Sequence, residues 1–295
     1  MSIYINMNEW EDFEKAQGHL SKHSIRSYKQ SYNRISDKLD ESIVDAKQKD
    51  ILDIVKTLSE SPNTKTQLIN GAMQIRRFYN ADVNKLLYAR ERLKVRIQEV
   101  KDAVNDEKFD TLPNASELKK WLNKLFSEER WRDYIINYLL ITFNTRNKDL
   151  DLQIIDNKRK AKDKNMNYLV VRPKGGSIAF IRRSYKTVAT YGEKTSDFTS
   201  QKALHAVREF VKEKGGEYPL FLLSTGHNKR IDETSIAKFI RARTLDGLSE
   251  SDINKMQVST IEKLNDFRLL KKMSKNRGTS VDNLITEYHL KFKNK

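Results

Sequence analysis

Arg146, Lys186, Arg268 and His289 are the residues of this chain whose types and order point to chemistry. They sit in TFNTRNKDLDL, IRRSYKTVATYGEKT, LNDFRLLKKM and NRGTSVDNLITEYHL. Two guanidiniums, an ammonium and an imidazole brought to one point would bind the non-bridging oxygens of a phosphate. They would also hold the charge of a pentavalent phosphorane and protonate a leaving oxygen. Each also has a plainer reading. Arg146 has Asp149 and Asp151 near it for a salt bridge, and Lys186 competes with Lys174, Lys194 and Arg183 for its role. Arg268 lies in a helical pattern whose apolar face is Leu264, Phe267 and Leu270, and a histidine near a terminus is ordinarily solvated.

Composition favours a polyanionic partner. The 295 residues carry 56 Lys+Arg against 40 Asp+Glu, a formal net charge of +16, with a pI near 9.7. Residues 1–105 hold 18 basic and 15 acidic side chains, a balance of +3; residues 106–295 hold 38 and 25, a balance of +13. The electrostatic footprint therefore falls in the second part, and nucleic acid is expected ahead of an anionic membrane. The absence of cysteine excludes disulfides, thiolate catalysis and zinc fingers. Five scattered histidines without an H-x-x-x-H pair argue against a histidine-built metal site, so no metal or other cofactor is expected. MSIYINMNEWEDFEKA is acidic and lacks the apolar stretch of a signal peptide, and no apolar run approaches membrane-spanning length. The expectation is a soluble protein of a reducing, intracellular compartment, without membrane contact. Its wealth of Asn, Lys and Ile fits a viral or mobile-element source.

The elements that must position those side chains read as an α+β, mostly helical chain of two domains. Residues 1–104 are helical in pattern. Ile25, Tyr28, Tyr32 and Ile35 share one helical face behind Ser24 as N-cap. Further segments run from Ile51 to Leu58, from Thr66 to Tyr79 and from Asn84 to Val100. Residues 105–113, around DEKFDTLPN, lose periodicity and read as a linker. The second domain, 114–295, opens with a helix start at Ser116-Glu117 and a buried helix in RWRDYIINYLLITF. NYLVVRP and SIAFIRRSYKT then read as a β-hairpin around Lys174-Gly175-Gly176, with a third strand from Tyr191 to Thr199. Helices return in SQKALHAVREFVKEK, TSIAKFIRART, SESDINKMQV and STIEKLNDFRLLKKMSKN. The order predicts helices around a small antiparallel sheet.

On these residues the chain resembles the tyrosine recombinase (phage integrase) family, whose catalytic core is shared with type IB topoisomerases. SIRSYKQSYNRI resembles the first helix of that family's core-binding domain. TFNTRNKDLDL is similar to the segment of the first catalytic arginine, which makes Arg146 its counterpart. SYKT is similar to the hairpin of the catalytic lysine, which makes Lys186 its counterpart. LNDFR stands where the family has H-x-x-R, so Arg268 matches and Asn265 replaces the histidine. Asn265 can hydrogen-bond a phosphate oxygen but cannot exchange a proton near neutral pH. NRGTSVDNLITEYH is similar to the run ending in the second histidine, at His289.

The resemblance implies a protein of DNA recombination and integration. Such a protein breaks and rejoins duplex DNA through a 3′-phosphotyrosyl intermediate, without metal or nucleotide. It also implies a homo-oligomer on DNA. The family's nucleophile lies beyond the His289 position, however, and no tyrosine follows Tyr288. The alternative is a recombinase-fold DNA-binding protein without cleavage, serving in architecture, packaging or regulation. Arg26, Lys29, Arg76, Arg77, Lys174, Arg182, Arg183 and Asn265 are the further residues expected at the DNA, through phosphate contacts that position without reading sequence.

Overall fold

The computed structural model describes residues 7–109, 112–172, 175–226, 228–259 and 267–288. The chain is α+β and mostly helical, in two compact units, Met1–Glu107 and Lys108–Lys295.

The first unit contains α1 (Met7–Ala16), α2 (Lys22–Ser36), α3 (Gln48–Leu58), α4 (Pro62–Phe78) and all but the last two residues of α5 (Asn84–Phe109). Apolar side chains at helical spacing, among them Phe13, Tyr32, Ile35, Ile51, Val55, Leu68, Ile75 and Leu86, meet in one core. The cap of α2 is Ser21 rather than Ser24. Ser21 is extended, and its Oγ accepts the Ser24 backbone N–H at 3.1 Å, placing Ser24 inside the first turn. α4 begins at Pro62, four residues ahead of the expected start at Thr66. Proline belongs in a first helical turn, where a backbone N–H has no intrahelical partner. α2 and α4 cross so closely at Gly71 that an added Cβ would lie 2.4 Å from the Ser31 Cβ. α5 continues to Phe109, through residues where the apolar period fades.

The second unit opens with α6 (Ala115–Ser127), held by a capping box between Asn114 and Glu117, and the buried α7 (Trp131–Phe143). A five-stranded sheet follows, built from β1 (Leu152–Ile155), β2 (Asn167–Val171), β3 (Ile178–Arg182), β4 (Lys194–Phe198) and β5 (Leu220–Phe221), in the order β4-β3-β2-β1-β5. The sheet is mixed rather than wholly antiparallel, because β1 runs parallel to β2 while the other ladders are antiparallel. Residues 156–166, with the basic KRKAKDK run, carry the chain back between the two parallel strands. Alternate residues face opposite ways. Leu169, Val171 and Phe180 join α7 and α9 (Gln201–Glu213) in the main core, while Tyr168, Val170 and Ile181 form a smaller cluster on the other face.

The short helix α8 (Val188–Tyr191) links β3 to β4, and β6 (Ser224–Thr225) pairs with β7 (Lys229–Arg230). The chain then runs through α10 (Ile236–Arg241), α11 (Glu250–Ser259), α12 (Phe267–Arg277) and α13 (Val281–Tyr288). Val258, Leu270, Met273 and Leu284 pack the last three together.

Candidate phosphate site

The C-terminal end of α12 is the organising feature of the second unit's charged cluster. The last carbonyls of a helix lack intrahelical donors and carry the negative end of its dipole. Here three successive ones each receive a cation from a different segment. Lys194 Nζ donates to Lys275 O at 2.5 Å, Arg182 Nη1 to Asn276 O at 2.5 Å and Arg146 Nη1 to Arg277 O at 2.6 Å. Gly278 then turns the chain at φ +67°. A Cβ there would come within 2.6 Å of Thr187 Oγ1 and 3.1 Å of Lys194 Nζ, so the turn packs directly against the cluster.

Arg146 reaches this point through local backbone geometry. Asn144 ends α7 in the left-handed conformation (φ 49°) and is held by Gln257 and Asn254 on α11. The chain leaves extended at Arg146 and closes a 3-10 turn over Asn147–Leu150, with the Arg146 N–H on Asp149 Oδ2 at 3.3 Å. Arg146 is half-buried.

Asp149 is fully buried, its Oδ2 lying 3.6 Å from Nη1 of Arg182, which is 1% exposed. Burial pushes the Asp149 carboxyl above the usual carboxylate range, and the Arg182 charge opposes that shift. Among the described residues, neither Nε nor Nη2 of Arg182 has a hydrogen-bond partner. Arg182 and Lys194 are cross-strand partners in the β3–β4 ladder, which fixes their neighbourhood. The Lys194 ammonium lies 5.0 Å from the Tyr185 ring centre and 4.9 Å from that of Tyr191. Burial, followed by the Arg182 charge, brings its pKa down to about 8.

Arg277 completes the cluster at 2% exposure. Its Nη2 donates to Glu250 Oε1 and to Tyr288 Oη, both at 3.0 Å, and its Nη1 to Asn144 O at 3.3 Å, while its Nε has no partner among the described residues. The other Glu250 oxygen accepts the Asn147 N–H, which ties the Arg146 turn to Arg277. Four cations, Arg146, Arg182, Lys194 and Arg277, thus surround two carboxylates, Asp149 and Glu250. A low-dielectric site with surplus positive charge and unpartnered N–H groups is suited to an oxyanion.

The other expected residues are placed differently. Lys186 is exposed in the turn after β3, without a hydrogen bond or ion pair among the described residues. Arg268 is exposed in the first turn of α12, eight residues before Asn276 and so roughly 12 Å along the axis from the cluster. It does not join Arg146, and Arg277 does. The signal that could have found Arg277 is the Asn-Arg-Gly run, since glycine after a helical pattern marks a helix end.

Arg182 and Arg76, expected as surface phosphate contacts, are both buried. Arg76 gives its donors to Ile43 O, Ala46 O and Asp82 O, each at 2.8 Å. Arg183 is engaged by Glu193 at 2.5 Å and by Ala161 O at 2.8 Å. Arg26, Lys29 and Arg77 are exposed, Lys29 being 3.8 Å from Glu14. Lys174, Asn265 and His289 lie outside the described residues.

Among the described residues no group of three or more His, Asp or Glu side chains is arranged to hold a metal ion. No described helix is long and apolar enough to cross a membrane.

No family model matches this chain, and no curated protein matches it. Among solved structures it is similar to the crystal structure of XerA recombinase, at 12% sequence identity and a TM-score of 0.40, over 95% of this chain and 92% of that chain.

Proposed function

We propose that this chain binds duplex DNA through its phosphates, as a protein of tyrosine recombinase type, with a phosphodiester held at the C-terminal end of α12. The observation that carries this reading is the imbalance of four cations against two carboxylates, together with unpartnered N–H groups on the deeply buried Arg182 and Arg277. Buried charge is costly unless a counter-charge joins it, and a phosphate supplies one. The half-buried Arg146 and Lys194 are the cations able to meet an incoming oxygen. The +13 balance of residues 106–295 favours a polyphosphate backbone over a single small anion. Exposed Arg26 and Arg77 add sequence-independent contacts.

A second reading, strand cleavage, is favoured by the Tyr288 hydroxyl at 3.0 Å from Arg277 Nη2. In that reaction the phenolic Oη forms a bond to phosphorus as the P–O5′ bond breaks. The strand is left as a 3′-phosphotyrosyl link and a 5′-hydroxyl that has taken up a proton. Incubation with a nicked duplex substrate, followed by denaturing electrophoresis, separates the readings. A covalent adduct lost in Tyr288→Phe establishes cleavage. Tight binding that weakens steeply with salt, without an adduct, leaves a DNA-binding protein. Preference for single-stranded RNA over duplex DNA would overturn both.

A further inference from the structure

The lysine that meets the phosphate is a separate question, because the SYKT resemblance and the folded geometry give different answers. Lys186 is exposed and without a hydrogen bond or ion pair among the described residues, whereas Lys194, eight residues later, is built into the cluster. Three independent constraints hold it there. The β3–β4 register sets Lys194 opposite Arg182. The Lys275 carbonyl takes one of its three ammonium protons, leaving two for a ligand. Gly278 lets the turn after α12 pack against Nζ, since a Cβ there would stand only 3.1 Å from it.

We infer that Lys194, rather than Lys186, is the lysine through which the second unit holds a DNA phosphate beside Arg146, with buried Arg182 as the fixed charge behind both. The inference rests on the proposed DNA reading and adds to it a specific ligand and a pH signature.

The groups facing Lys194 from every packed segment are known. They are Arg182 on β3, Tyr185 in the following turn, Tyr191 on α8, Arg146 and Asp149 from the turn after α7, and Lys275 on α12. Three of these are cations and one a carboxylate, and the two tyrosine rings present their faces. The field therefore works with burial against the ammonium, and Lys194 gives up its proton around pH 8, well before an exposed lysine. A phosphate in contact with Nζ would hold the proton on. Binding consequently takes up a proton at higher pH and must weaken as pH rises.

The test is duplex-DNA affinity by fluorescence anisotropy from about pH 6.5 to 9.5 at fixed salt. Wild type is compared with Lys194→Arg, Lys194→Met and Lys186→Met. Wild type should lose about tenfold in affinity on moving up that range, the size of one charge-assisted hydrogen bond. Lys194→Arg, which keeps its charge throughout, should bind with a flat profile. Lys194→Met should be flat and about tenfold weaker at neutral pH, while Lys186→Met should follow the wild-type curve. A flat wild-type profile, or loss of the pH dependence in Lys186→Met, overturns the assignment.

A second measurement separates this from failure of the DNA reading. If duplex DNA is not bound at all, the melting temperature is followed with added inorganic phosphate. Protection that disappears in Lys194→Met supports Lys194 as the oxyanion ligand. Equal protection in both proteins, or none, rejects it.

Discussion

Two buried arginines, one in each unit, show how the same side chain can serve structure or leave a charge in reserve. Arg76 is 6% exposed, and its Nε and Nη1 spread three hydrogen bonds over the carbonyls of Ile43, Ala46 and Asp82. It ties the α3 approach and the turn after α4 to α4 itself. Arg182 is 1% exposed, with one carbonyl, Asn276 O, and one carboxylate, Asp149, both on Nη1. Its Nε and Nη2 have no partner among the described residues. Burial lowers the pKa of both groups, so both bear a desolvation penalty. Only in the first do neutral backbone acceptors offset it within a unit that needs nothing more. Around the second, Arg146, Lys194 and Arg277 add further positive charge. Burial therefore says little about the role of an arginine, and the fate of its N–H groups says a great deal.

The contrast predicts different costs. Arg182→Met removes the partner of a fully buried carboxylate, and breaking such a pair should destabilise the protein by about 3–5 kcal/mol at pH 7. Asp149 already has a raised pKa in the folded state, and losing Arg182 raises it further. A carboxyl with a folded pKa above its unfolded value binds more protons when folded. The deficit should therefore shrink as pH falls and Asp149 protonates. The double variant Arg182→Met/Asp149→Leu should recover most of the loss. Urea denaturation at several pH values measures all three statements. A single variant as stable as wild type, or a deficit that grows toward acid, would remove Asp149–Arg182 as a working ion pair.

Arg76→Met should cost somewhat less, about 2–4 kcal/mol, because it orphans buried carbonyls rather than a carboxylate. Its deficit should be nearly constant between about pH 5 and 8, and duplex affinity per folded molecule should be unchanged. A pH-dependent deficit, or lost DNA binding in a protein that still folds, would erase the distinction between the two arginines.

How much of this could be read from sequence follows from the range over which each feature is determined. The amphipathic helices were legible because they depend on neighbours three and four residues apart, as with Tyr32 and Ile35 in α2. The cap of that helix lies one turn before the expected Ser24, because Ser21 and Ser24 are equally suitable types and only backbone geometry chooses Ser21. β1 is not legible as a strand in the sequence. Four residues, Leu-Gln-Ile-Ile, carry too little period, and its partner β2 lies beyond a long polar connection. Arg146 was visible as a polar residue just past an apolar helix. Arg182 and Lys194 are likewise visible as basic residues of the hairpin region, but their convergence on α12 is not. The Arg182–Asn276 and Lys194–Lys275 contacts span 94 and 81 residues, and no local pattern encodes them. Arg268 stands out in the sequence because LNDFR resembles the family's H-x-x-R, whereas Arg277 has no such motif around it. Arg268 and Arg277 stand at opposite ends of α12, and the Arg277 end is the one that receives Arg182 and Lys194 from the sheet.

The finest test of the comparison lies next to Arg76 itself. Arg77 is its sequence neighbour on α4, turned by one helical step out to solvent. Its charge is not committed to any hydrogen bond or ion pair among the described residues. Arg77→Ala should therefore change stability by no more than about 0.5 kcal/mol. If α4 contributes to the DNA surface, the same substitution removes one phosphate contact. The slope of log affinity against log salt should then become shallower by about 0.9, with no dependence on DNA sequence. An unchanged slope would mean that this face of α4 is simply solvated, and DNA contact would rest on the second unit. A steep loss of stability would instead make Arg77 a second strut like Arg76. The two adjacent arginines thus separate folding from binding within one helical turn, which the cluster at α12, where both depend on the same side chains, does not allow.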